Sequence, residues 1–136
     1  MEHHGQLLRL ALRIDAIVSA AFGLLVLLGS LILPDLLGPP SRVFWVIGGV
    51  VLVYAAGLWS VQSRALISAA AGWSVVALNL VWAVASVGTV VLGWLPLTGL
   101  GIAFVLLQAA VVAGLADLQF VGVRRATAWR GLAPGQ

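Results

Sequence analysis

The chain has 136 residues, of which 62% are hydrophobic and 8% charged, with a mean hydropathy of +1.16. A water-soluble domain carries about 25% charged residues, so the composition excludes a soluble enzyme, a disordered segment and a nucleic-acid binder, and indicates an integral membrane protein. The formal net charge of +3 comes from seven arginines, no lysine and the four acids Glu2, Asp15, Asp35 and Asp117, with no clustered basic face to hold a nucleic acid.

A membrane-spanning helix needs about 20 mostly apolar residues at 1.5 Å per residue, and breakers divide the chain into four such runs. The first spans residues 10–33 and is stopped by Pro34-Asp35, after which Gly38-Pro39-Pro40 makes a turn whose Ser41 caps the next helix. Its apolar part is longer than the core of a secretion signal and no small-residue cleavage site precedes Pro34, so it is retained as a span. The second covers residues 43–61. Gln62-Ser63-Arg64 is a minimal turn, and the third span follows over 65–92, closed by Gly93-Trp94-Leu95-Pro96. The fourth runs over 97–120 and leads into a short tail containing Arg124, Arg125 and Arg130. The expected fold is therefore all-α, one membrane domain over residues 1–136, a four-helix up-down-up-down bundle.

Positive flanks stay cytoplasmic on insertion. With both termini inside, the cytoplasmic flanks hold Arg9, Arg13, Arg64, Arg124, Arg125 and Arg130, and the outer side only Arg42. Trp45 and Trp94 near the outer ends, and Trp129 beyond the inner one, suit interfacial anchoring. No internal repeat relates the first pair of spans to the second.

Polar residues inside a membrane are costly, so function would show there. Asn79 is at the middle of the third span and Gln108 near the middle of the fourth, which predicts a hydrogen bond between them. Ser68, Gly72, Asn79, Ala83 and Ser86, with Trp82 beside them, share one stripe of the third helix, and Gly101, Phe104, Gln108 and Gln119 share a face of the fourth. Asn79, Trp82, Ser86 and Gln108 are thus the candidate intramembrane polar site: a register-fixing hydrogen bond, a midplane site for a small solute, ion or lipid head group, or a contact to another subunit. Counting back from Leu33 places Asp15 at the cytoplasmic boundary, with Ser19 one turn further on the same face. There Asp15 is expected to pair with Arg64 or Arg124, the alternatives being a solvated acid or a proton-coupled site. Small residues at Ala16/Ala20, Ser19/Gly23, Gly48-Gly49 and Ala110/Gly114 permit close helix approach within the bundle or between copies.

The segments Leu12-Arg-Ile-Asp-Ala16, Ala77-Leu-Asn-Leu-Val-Trp-Ala-Val-Ala-Ser86 and Leu118-Gln-Phe-Val-Gly-Val-Arg-Arg125 resemble a group of small four-span bacterial membrane proteins of unassigned activity. The resemblance covers most of the chain and implies the same topology in the bacterial cell membrane. In size and in having a first-helix acid the chain is also similar to the small multidrug transporters. It departs from them in the shallow placing of its acid and in its arginine asymmetry.

No Ser/His/Asp set or paired deep carboxylates point to an enzyme. The lack of cysteine removes thiol chemistry, and His3 and His4 together in an N-terminal tail cannot bracket a haem. No cofactor or metal is expected, and the partners are the lipid bilayer, a homo-oligomer or a larger membrane complex, without nucleic acid. The leading expectation is a structural or accessory membrane subunit acting through lateral helix contacts. The alternative is a small oligomeric transporter or channel with a polar midplane face of Asn79, Ser86 and Gln108.

Overall fold

The computed structural model describes residues 3–132, with side chains over residues 5–128. Those residues form five helices and no strand: α1 (His3–Leu28), α2 (Leu33–Leu37), α3 (Ser41–Gln62), α4 (Ala69–Leu92) and α5 (Gly99–Leu132). Four of them are long and apolar enough to cross a membrane, over Gly5–Leu28, Ser41–Gln62, Ala69–Leu92 and Gly99–Ala128. Their outer surface is a continuous apolar coat, with Val53 75% and Val84 72% exposed. Water would not tolerate a patch of that extent, whereas lipid solvates it.

The first helix is displaced from its expected position, beginning at His3 instead of Leu10 and ending at Leu28 instead of Leu33. The chain turns at Gly29 and Ser30, where the N–H groups of Ile32 and Leu33 both bond to the Gly29 carbonyl. Pro34 therefore starts a helix rather than stopping one: it sits in the first turn of α2, where its missing N–H costs nothing. His3 and His4 lie in the backbone of α1 rather than in a tail, and their side chains fall outside the described residues. At the other terminus α5 continues through Gly122 to Leu132, past the expected end at Phe120, and the side chains of Trp129 and Arg130 are likewise outside the described residues.

Three connections also differ in detail. Pro40, not Ser41, is the N-cap of α3, and the Ser41 hydroxyl instead donates to the Ser30 carbonyl at 2.8 Å. The third span starts at Ala69 rather than Ala65, capped by the Ser68 side chain, which accepts from the Ala71 N–H at 3.1 Å. Gly93 ends α4 in the left-handed conformation (φ +67°).

Contacts gather the helix ends. Arg9 donates to the carbonyls of Gln62, Arg64 (2.8 Å) and Ala65 (3.2 Å), tying the start of α1 to the α3–α4 link. This cation satisfies carbonyls left free at the end of α3 and complements its negative pole. At the other end Thr98 bonds through its N–H to the Leu37 carbonyl (2.9 Å) and through its hydroxyl to the Leu36 carbonyl (2.7 Å), seating the α4–α5 link on α2. Gly38 beside it has φ +113°, and a Cβ there would meet the Pro96 carbonyl oxygen. Gly38→Ala is expected to cost about 2–3 kcal/mol through backbone strain and that clash, read as a lowered melting temperature in detergent.

Small residues set the helix spacings. Gly23 and Gly48 face each other where α1 crosses α3, and a Cβ on Gly23 would come within 3.1 Å of the Gly48 carbonyl oxygen. Gly122 lies against the Leu8 backbone and Gly72 against Val123, bringing α5 close to both α1 and α4. Gly49 and Gly114, by contrast, meet nothing. One apolar core joins Leu8, Leu12, Leu58, Ile67, Val75, Val76 and Val123 near the Arg9 end, and a second joins Val26, Leu37 and Phe44 near the α2 end.

Candidate functional site

Between these two cores lies a polar cluster to which each of the four long helices contributes. Asp15 of α1 is 2% exposed, Asn79 of α4 4% and Gln119 of α5 0%. One carboxylate oxygen of Asp15, Oδ2, accepts from Asn79 Nδ2 at 2.8 Å and from Gln119 Nε2 at 2.6 Å, while the Tyr54 hydroxyl of α3 lies 3.2 Å away. The second oxygen, Oδ1, accepts from the Ser19 hydroxyl at 3.0 Å. Asn79 Nδ2 also donates to Gln119 Oε1 at 2.7 Å, and Asn79 Oδ1 lies 2.9 Å from the Tyr54 hydroxyl. Tyr54 has one proton and two acceptors in reach, so it serves Asp15 or Asn79 but not both at once.

Helix periodicity explains the assembly. Ser19 is one turn beyond Asp15, Tyr54 is flanked by the buried Val51, Ala55 and Leu58, and Asn79 shares its stripe with the buried Gly72, Val75, Val76 and Ala83. Gln119 sits one turn before the buried Val123, whose contact with Gly72 lets the two amides meet. Asp15 lies ten residues from the start of the candidate span Gly5–Leu28 and Asn79 ten from the start of Ala69–Leu92, while Arg9 and Arg13 of α1 both reach Gln62 at the end of α3.

Two expected pairings are therefore replaced. Asp15 is buried inside the bundle, and its hydrogen bonds go to uncharged groups, not to Arg64 or Arg124. Arg64 is exposed and offers its carbonyl to Arg9, while Arg124 lies over the Phe120 ring, 5.7 Å from its centroid. The pairing differs because α1 sets Asp15 beside Asn79 and Gln119, whereas Arg9 and Arg13, earlier on the same helix, reach the end of α3 at Gln62.

Asn79 and Gln108 do not bond to each other. Contacts step along α4 and α5 as Gly72 on Val123, Asn79 on Gln119 and Ser86 on Gln108. The long extension of α5 moves its midpoint towards Gln119, which takes the place expected for Gln108. Gln108 instead accepts from Trp82 Nε1 at 2.8 Å and donates to the Ser86 hydroxyl and the Val105 carbonyl, both at 2.9 Å. Of the four candidate residues, Trp82, Ser86 and Gln108 form one group, and Asn79 belongs to the Asp15 cluster.

Two cavities adjoin these groups. One, of about 350 Å³, is bordered by Asp15, Ser19, Tyr54 and Asn79 and by apolar side chains of all four long helices. The other, of about 250 Å³, lies towards the α2 end among Phe44, Ile47, Ser86, Thr89 and Leu97. Tyr54 was not anticipated; its signal was a single tyrosine hydroxyl in an otherwise apolar span. Among the described residues no three His, Asp or Glu side chains gather as a metal site. The Asp15 carboxylate has two hydroxyl neighbours, Ser19 and Tyr54, able to donate or accept, and all three residues border the larger cavity. Comparison with protein-family models, with curated proteins and with solved structures gave no match.

Proposed function

We propose that the protein is a multi-pass bacterial membrane protein that works as a small carrier or channel, with Asp15 as its proton-exchanging acid. The observation that carries this reading is one carboxylate, buried inside the first candidate span, with no cationic partner among the described residues and bordering a cavity. An ionisable group in such a place is expensive and is a functional residue by default. In this reading the chain is one up-down-up-down bundle with both termini cytoplasmic, as the six-to-one division of the arginines supports.

The test is proton uptake by proteoliposomes carrying a lumenal pH dye under an imposed potential. Wild-type vesicles should acidify faster than vesicles bearing Asp15→Asn; equal rates in these and in protein-free vesicles would reject the reading. Orientation is checked separately with single cysteines placed at Arg42 and Trp94. Both should react with an impermeant thiol reagent from outside the cell, and labelling only from the cytoplasmic side would reverse the topology.

A second reading, an accessory subunit acting through lateral helix contacts, is favoured by the outward-facing Gly49 and Gly114, which leave room for another helix. It predicts a stoichiometric partner or a homo-oligomer after purification in mild detergent, together with no difference in proton uptake between wild type and Asp15→Asn.

A further inference from the structure

The two cavities share four lining residues: Phe22 of α1, Trp82 of α4, and Phe104 and Gln108 of α5. Phe22 and Phe104 are stacked with centroids 5.8 Å apart and planes inclined by 19°. Trp82 completes the layer, and its position is held by a closed circuit of hydrogen bonds: its indole N–H to Gln108, Gln108 to the Ser86 hydroxyl, and that hydroxyl back to the Trp82 carbonyl at 2.7 Å. None of the four is fully buried. The Trp82–Gln108 group is not bonded to the Asp15 cluster, so it can rearrange without breaking that cluster.

We infer that this layer is a septum, and that Trp82, positioned by Gln108, sets the size of the molecule that reaches Asp15 from the α2 end. Resting on the reading of Asp15 as the exchanging acid, the inference names the class of solute admitted: a flat, mostly apolar molecule able to slide between Phe22, Phe104 and the indole, with one polar group to meet the carboxylate. Swinging the indole aside joins the two cavities; with the indole in place, only a narrow molecule passes. Gln108 is a positioning residue, acting through the indole N–H.

Apolar carbodiimides test this without an identified solute. A protonated carboxyl adds across the reagent's C=N bond to form an O-acylurea, which rearranges to a stable N-acylurea with no leaving group, so Asp15 gains the mass of the reagent. The full chain in lipid nanodiscs is treated with slim diisopropylcarbodiimide or bulky dicyclohexylcarbodiimide, and labelling is read by peptide mass mapping, with Asp15→Asn as the blank. Trp82→Ala should accelerate labelling by the bulky reagent roughly tenfold, the scale on which apolar fit discriminates, and labelling by the slim one much less. Trp82→Phe, which keeps an aromatic ring but loses the N–H and part of the bulk, and Gln108→Leu should fall between wild type and Trp82→Ala. Equal rates in wild type, Trp82→Phe and Trp82→Ala for both reagents would overturn the septum while leaving Asp15 as a reachable acid. No labelling of Asp15 in any of these proteins would overturn both this inference and the proposed function.

Discussion

Asp15→Asn is expected to melt close to the parent protein, while Asp15→Leu is expected to be strongly destabilised. An asparagine can direct its carbonyl at the place of Oδ2, accepting from Asn79 and Gln119, and its NH2 at Ser19, whose hydroxyl turns to accept. Every polar group then keeps a partner, and the cost should stay near about 1 kcal/mol or below. A leucine offers no acceptor. Gln119 Nε2 loses its bond to Asp15, Asn79 keeps only its bond to Gln119, and Tyr54 turns wholly to Asn79. Stranding two buried N–H groups in this way should cost about 2–4 kcal/mol, measured by thermal unfolding in detergent. The pair of variants separates structure from chemistry, since Asp15→Asn retains the bundle but removes the ionisable group.

Asn79→Leu should cost about 1–3 kcal/mol, because it removes one donor to Asp15, one donor to Gln119 and the second acceptor of Tyr54. A double-mutant cycle then distinguishes the two glutamines of α5. Asn79→Leu and Gln119→Leu should be non-additive, the double variant being milder than the sum of the singles, since both single changes break the same Asn79–Gln119 hydrogen bond. Asn79→Leu and Gln108→Leu should add, because Gln108 bonds to Trp82 and Ser86. Coupling of Asn79 to Gln108 instead would contradict the α4–α5 register described above.

The four spanning helices were legible because the apolar runs and their breakers are strong local signals, as were the inward stripe of α4 and the α5 face containing both glutamines. Register was harder to read. It depends on where a helix ends, and at the end of α1 the visible punctuation, Pro34, is misleading: proline is as well suited to starting α2 as to stopping α1. The earlier turn at Gly29-Ser30 is fixed by contacts from elsewhere, with Ser41 and Trp45 of α3 both bonding to Ser30. A similar shift affects α5, where Gly122 reads as an ending but serves as a close approach to Leu8. Both errors move one polar residue relative to its partner, hence the misassigned companions of Asp15 and Asn79. Tyr54 was illegible for a different reason: a lone tyrosine in an apolar helix has meaning only once Asp15 and Asn79 stand beside it.

The proposal that Asp15 exchanges a proton inside the membrane is tested by infrared difference spectroscopy of proteoliposomes with and without the imposed potential that drives proton uptake. Spectra of wild type are compared with those of Asp15→Asn, which lacks the one carboxyl at issue. A carboxyl C=O band is predicted that changes when the potential is applied, shifts in heavy water and is missing from Asp15→Asn. Spectra that do not respond to the potential, or that respond identically in wild type and Asp15→Asn, would contradict the proton-exchange reading.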